Sequence, residues 1–247
     1  MRLPIYILLL ATQFFWAQTG FEKGNELYRK EKFQDAIAEY ENVLRTKKHS
    51  AELYFNLGNA YYKLDKVAPA IYNFEKALLL NPDDADVKTN LRFAHKMMID
   101  EVKELPKVGF SKIVENFTSA FHYNTWGFIS VGFAVLFFAF FCGYYFSAVT
   151  LYKRTFFIGM FVIALAMIIG IASAIFERER YSSERPAIVF AGIVSVKSEP
   201  KPTATDALVH HEGTKVFVLE TLDNWKRVQL PDGSDGWIES SAIKELK

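Results

Sequence analysis

Cysteine is nearly absent. Cys142 is the single one in 247 residues, so no disulfide can form within one chain and each folded part must hold by its apolar core. Histidine is sparse as well, with 5 copies. His210 and His211 are adjacent, which on a strand sends their rings to opposite faces; both are expected as solvated turn residues and no metal site is expected. An excess of one charge is also lacking, since 29 Lys+Arg face 28 Asp+Glu for a net charge of +1. Residues 18–115 hold 16 of each sign, and residues 186–247 hold 7 cations against 9 anions. No segment is basic enough to displace counterions from a phosphate backbone, so nucleic acid is not an expected partner. A glycine-rich phosphate loop, HExxH, GxSxG and paired cysteines are all missing, which removes the sequence support for nucleotide, zinc and common hydrolase chemistry. The expectation is a protein that is not an enzyme, with no catalytic residues and no cofactor. What the chain has in quantity is apolar surface: 51% hydrophobic residues and 16% aromatics, including 23 Phe. That share excludes a disordered chain, while a mean hydropathy of +0.06 excludes one made mainly of membrane spans.

Long apolar runs occur in three places. Arg2 followed by Leu3 to Ala17 has the charged start, apolar stretch and small final residue of a secretory signal. Its fifteen residues make a helix of roughly 22 Å, short of the roughly 30 Å of hydrocarbon, so cleavage after Ala17 is favoured over an anchor. Residues 126–151 carry no charge and residues 155–176 would form about 33 Å of helix. Both are predicted to span a bilayer as a hairpin linked by Tyr152-Lys153-Arg154, whose cations place the link in the cytoplasm and both flanking parts on the exported side. Ala139, Gly143 and Ser147 on the first span, and Ala166, Gly170 and Ala174 on the second, form four-residue stripes. Their different depths leave at least one stripe free to meet a partner outside the hairpin, with the general frequency of Gly and Ala in membrane helices as the competing reading.

Between signal and hairpin the chain repeats. Gly24 and Gly58, Ala36 and Ala70, and Tyr40 and Phe74 are each 34 residues apart, the tetratricopeptide period. Residues 51–84 resemble a complete tetratricopeptide repeat, with Tyr54, Leu57, Gly58, Tyr61, Ala70, Phe74, Ala77 and Pro82 at its signature places. The first unit departs from the pattern at Gly20, Lys23 and Lys48, which predicts fraying of its first helix. A helix from Asp84 to about Glu104, with Val87, Leu91 and Ala94 on one face, is expected to cap the array. The rows Phe21 and Phe55, Asn25 and Asn59, Tyr28 and Tyr62, and Arg29 and Lys63 also repeat at 34. In this family such positions line a concave groove, and the resemblance implies that Asn25 and Asn59 hydrogen-bond an extended peptide, with packing between helices as the competing role for the two phenylalanines. Farther on, Phe110, Ile113, Val114, Phe117 and Phe121 describe an amphipathic helix, lying either on the outer membrane surface or against the capping helix.

After the hairpin the pattern turns to period two. Residues 187–189, 193–196, 215–220, 225–230 and 237–239 read as strands, with a turn over Pro231–Gly236. The order Val196-Lys197-Ser198, His211-Glu212-Gly213-Thr214, Trp225-Lys226-Arg227-Val228 and Gly236-Trp237-Ile238 resembles a bacterial SH3-like (SH3b) domain. That resemblance implies a small barrel and makes Trp225 and Trp237 candidates for a ligand face, with core packing the favoured role for Trp237. The predicted architecture is a multidomain membrane protein: signal peptide 1–17, tetratricopeptide repeats 18–104, amphipathic linker 105–125, transmembrane helices 126–151 and 155–176, and an all-β SH3-like domain over 187–247. In this arrangement the chain resembles the BatE-like proteins of the Bat (aerotolerance-operon) family. The resemblance implies a bacterial inner-membrane protein with both soluble domains in the periplasm, working beside von Willebrand A-domain Bat proteins and a MoxR-type AAA+ ATPase. A scaffold binding protein partners is the first functional expectation, and an envelope sensor binding peptidoglycan through the SH3-like domain is the second.

Overall fold

The computed structural model describes residues 20–100 and 109–247; the signal expected over 1–17 lies outside them. The chain divides into two compact units, one combining the N-terminal helices with the C-terminal strands and the other running over 106–184.

The first unit opens with α1 over 20–29, then α2 (Phe33–Arg45), α3 (Ala51–Lys63), α4 (Val67–Leu80) and α5 (Ala85–His95). The Ser50 hydroxyl accepts from the Leu53 N–H at 3.1 Å and starts α3, and an Asp84 carboxylate oxygen accepts from the Asp86 and Val87 N–H groups and starts α5. α1 and α3 end alike. Glu31 and Asp65 sit at φ 59° and 55°. The Glu31 N–H donates to Tyr28 O and the Lys32 N–H to Leu27 O; Asp65 and Lys66 repeat the pair onto Tyr62 O and Tyr61 O. This Schellman closure is made twice without glycine. The helices approach each other where a side chain is missing: a Cβ on Gly24 would stand 2.4 Å from the Tyr40 ring, and one on Gly58 would stand 2.7 Å from the Phe74 ring. Both rings are buried at the centres of the two repeat cores. The fraying predicted for the first helix is not found. Lys23, one of its departures from the pattern, reaches Glu39 on α2 at 2.6 Å, and the fit of Tyr40 over Gly24 holds the helix in place.

The strands are β1 (Pro186–Val189), β2 (Ile193–Lys197), β3 (Asp206–His211), β4 (Lys215–Leu222), β5 (Trp225–Gln229), β6 (Asp235–Glu239) and β7 (Ile243–Glu245), in one antiparallel sheet of order β3-β2-β6-β5-β4-β1-β7. Ala187, Val189, Val216, Val218, Val228, Leu230 and Ile238 form its core. The turn expected after β5 closes with Gly233 at φ 82° and the Leu230 N–H donating to Ser234 O.

Sheet and helices share a junction. Ile188 and Leu246, both within 1% of full burial, belong to the same apolar cluster as Ile71 and Phe74. The β3–β4 turn is pressed against α4, since a Cβ on Gly213 would meet Ile71, Val67 and Met98 at 3.0–3.2 Å. Around this centre the Tyr72 hydroxyl donates to Glu245 O at 3.3 Å, the Tyr72 and Phe190 rings stand edge to face at 5.6 Å, and Lys244 Nζ lies 4.4 Å above the Tyr72 ring. Lys215 Nζ donates to both Glu75 oxygens at 2.9 and 2.8 Å. Asp100 accepts from the His211 N–H at 2.6 Å and the Thr214 hydroxyl at 3.0 Å, and its carboxylate also meets His211 Nδ1 at 2.8 Å and His210 Nδ1 at 3.4 Å. The two histidines are therefore not solvated turn residues: they lie on β3, and one carboxylate at the strand end is reached by both Nδ1 atoms.

The second unit holds α6 (Phe110–Thr118), α7 (Tyr123–Phe146) and α8 (Thr150–Ser183). α7 and α8 are long and apolar enough to cross a membrane. The hairpin turns at 147–149, earlier than the Tyr152–Arg154 link predicted, and Lys153 and Arg154 are the fourth and fifth residues of α8. A charged pair needs no loop at a helix end, because its long stems carry the charges outward. The first helix accordingly ends at Phe146 instead of 151. The small-residue stripes are used inside the hairpin. A Cβ on Gly143 would meet the Phe156 ring at 2.7 Å, and one on Gly170 would meet Ser130 Oγ at 2.6 Å. Phe156 fills the first gap and Ser130 the second, each from the opposite helix of the hairpin, so the depth difference between the stripes does not call for an outside partner.

Candidate functional site

The asparagine rows converge on a stitched ladder. Asn25 Oδ1 on α1 accepts from the Tyr40 hydroxyl at 2.8 Å and from Asn56 Nδ2 on α3 at 2.9 Å. Asn59 Oδ1 on α3 accepts from Asn90 Nδ2 on α5 at 2.7 Å. Successive first helices are thus joined by one amide pair each, and among the described residues neither Asn25 nor Asn59 uses its own Nδ2. An amide whose oxygen is already engaged presents only donors, which suits the carbonyl of an extended chain. Burial pushes the Tyr40 hydroxyl up to about 12, which keeps it protonated and donating to Asn25.

The flanking positions divide. Phe21 packs on the first repeat core with its ring 6.0 Å from Tyr40, and Phe55 packs 6.1 Å from Phe74; both serve as helix packing. Tyr28 and Tyr62 are half-buried against the two cores, while Arg29 and Lys63 are exposed. Glu22, Lys23, Asn25, Glu26 and Arg29 line a shallow hollow of about 500 Å³. Asn56 and Asn90 were not singled out from the sequence, although each lies 31 residues beyond its partner, a repeated offset visible in the chain.

On the sheet, Trp225 stands opposite Glu239, and Trp237 opposite Arg227 and Lys197, so both tryptophans share one face. It is not the core face, because the buried residues of β6 are Gly236 and Ile238. Core packing is therefore not the role of Trp237: the period-two alternation that buries Ile238 turns its neighbour outward. Trp225 lines a hollow of about 340 Å³ with Ile193, Ser195, Lys197, Glu239 and Ser241 among its walls. Lys197 is held by Asp206 at 2.6 Å and by Ala204 O.

Family models match the chain over these surfaces: a TPR repeat over residues 24–65, a tetratricopeptide repeat over 51–84 and a bacterial SH3 domain over 191–245. No curated protein matches it. The class is thus an N-terminal tetratricopeptide-type array, two apolar helices able to cross a membrane, and a C-terminal antiparallel sheet of bacterial SH3 type.

Proposed function

We propose that this protein is a membrane-held scaffold that binds protein partners through the groove of its repeats and performs no catalysis. The observation that carries the reading is the asparagine ladder, which fixes the Asn25 and Asn59 carbonyls and leaves both amide donors unspent among the described residues. The finer assignment is an inner-membrane protein with repeats and sheet in the periplasm, in a Bat-type envelope stress or aerotolerance complex with von Willebrand A-domain proteins and a MoxR-type ATPase. Its support is the order of signal, repeats, paired spans and SH3-like domain along the chain.

The test is co-purification from detergent-solubilised membranes. Asn59→Asp keeps the oxygen that accepts from Asn90 and exchanges the spare donor for an acceptor, so the fold stays and partner capture falls. Capture at the wild-type level by Asn25→Asp/Asn59→Asp with unchanged circular dichroism would remove the groove as the binding surface. A second reading, an envelope sensor that binds peptidoglycan, is supported by the open hollow beside Trp225. Binding of cell-wall fragments by the intact protein, lost in Trp225→Ala, would favour it.

A further inference from the structure

Helix α6 has three distinct sides. Val114, Glu115 and Thr118 form the first, which is at least half-buried and docks on the end of α8. The Thr118 hydroxyl donates to Glu177 Oε1 at 2.7 Å, Arg180 Nη2 donates to Glu177 Oε2 at 2.7 Å, and Arg180 Nη1 lies 3.4 Å from Glu115 Oε1. The Trp126 indole N–H of α7 donates to Thr118 O at 2.7 Å. Lys112 and Asn116 form the second side, exposed and polar. Ile113 and Phe117 form the third, exposed at 66% and 51% although both are large and apolar, and Phe121 continues it at 43%. At 3.6 residues per turn these sides follow one another around the helix.

The docking contacts set a depth. Glu177 directly follows Phe176, the last residue of the charge-free run of α8, and it is only 6% exposed, with the Thr118 hydroxyl of α6 on its carboxylate. A helix fixed to Glu177 is therefore fixed at the level where hydrocarbon would give way to headgroups. The aromatic residues gather there too: Phe117 and Phe121 lie 5.3 and 5.4 Å from Trp126, and Tyr123 lies 5.6 Å from Tyr181. Of these, Trp126, Tyr123 and Tyr181 have the amphipathic rings that prefer the membrane interface.

We propose that α6 is a lipid-binding helix lying in the headgroup boundary of the bilayer, with Ile113, Phe117 and Phe121 inserted and Lys112 and Asn116 toward water. The occupant of the apolar side is phospholipid because Phe117 and Phe121 join that side to Trp126 of α7, next to the exposed apolar surface of α7 and α8, and because Arg178, exposed and beside Glu177, supplies a cation for anionic headgroups at that level. The proposal rests on the reading that the hairpin crosses a membrane.

The test uses the full chain in vesicles of phosphatidylcholine and phosphatidylglycerol brominated at shallow or deep acyl positions. A Cys142→Ala background carries one fluorescent label at a time, on Ile113→Cys, Asn116→Cys or Phe138→Cys. The expected result is loss of fluorescence at 113 in shallow-brominated vesicles, no loss at 116 in either, and loss at 138 in deep-brominated ones. Loss at 138 with none at 113 would overturn the proposal, leaving that side of α6 to a protein partner, while the membrane reading stands. No loss at 138 would overturn the membrane reading itself and the proposal with it.

Discussion

Asn59 illustrates why one residue needs two substitutions. Its position in a repeated row made it a groove residue, but its oxygen also holds Asn90, so Asn59→Ala removes a stitch between α3 and α5 as well as a donor. Asn59→Asp separates the two roles. Losing one donor to a bound chain costs roughly 0.5–1.5 kcal/mol, a weakening of a few-fold in titrations of a captured partner, and Asn59→Ala should lower the melting temperature more than Asn59→Asp does. Gly58→Ala should behave otherwise. Its new Cβ would stand 2.7 Å from the fully buried Phe74 ring, an overpacking of roughly 1–3 kcal/mol that a thermal melt would read as lost stability. The groove was legible at Asn25 and Asn59 because helical repeats align equivalent residues. The partners Asn56 and Asn90 are also 34 residues apart, but a shared period places residues in rows without saying which two rows touch, so their pairing with Asn25 and Asn59 at an offset of 31 was not read.

Among elements, the repeat helices and the apolar pair were legible because each buries or presents one continuous surface at a single period. β3 and β7 were missed. β3 has the pattern Asp206 to His211 with only half-burial, and β7 spans 3 residues, so neither has a clean alternation to read. Their roles are nonetheless structural, since β3 brings the histidines to Asp100 and β7 brings Glu245 to Tyr72. Burial raises the affinity of Asp100 for a proton, but the hydrogen bonds from the His211 backbone, the His211 ring and the Thr214 hydroxyl outweigh it and hold the carboxyl below its ordinary 3.8. Glu245 is likewise held below its ordinary 4.5, with Lys226 and Arg185 overcoming burial. A carboxyl depressed by folding contributes stability above its unfolded value and loses it as pH falls through the folded one. The unit is therefore expected to keep this stability above about pH 4.5 and to shed it progressively below about 3.8. Asp100→Asn should flatten that acid slope in chemical-denaturation curves; an unchanged slope would show that Asp100 does not contribute.

For the whole molecule, the reading of an even pair of spans after an exported segment predicts that repeats and sheet occupy one side of the membrane. Protease sites introduced near residues 60 and 220 should be cut from the same side, and cutting from opposite sides would contradict the topology. The sequence suggests separate modules at the two ends, because nothing in a linear pattern marks a surface that another part of the chain will cover. The structure joins them through Ile71, Tyr72, Ile188 and Leu246, residues that each also satisfy the pattern of their own module. This junction occupies α4 and the segment around Asp100, and the asparagine ladder runs along α1, α3 and α5, so the sheet is held without spending the groove residues.

The central claim is that repeats and sheet form one body which presents that groove. Native-state amide hydrogen exchange on the intact protein, wild type against Tyr72→Ala, tests it most directly. Slow amides of α4 and of β1 and β4 should open with the same free energy in the wild type, and Tyr72→Ala should lower both by an equal amount. If the strand amides keep their wild-type protection while those of α4 lose theirs, the modules are independent and the account is contradicted.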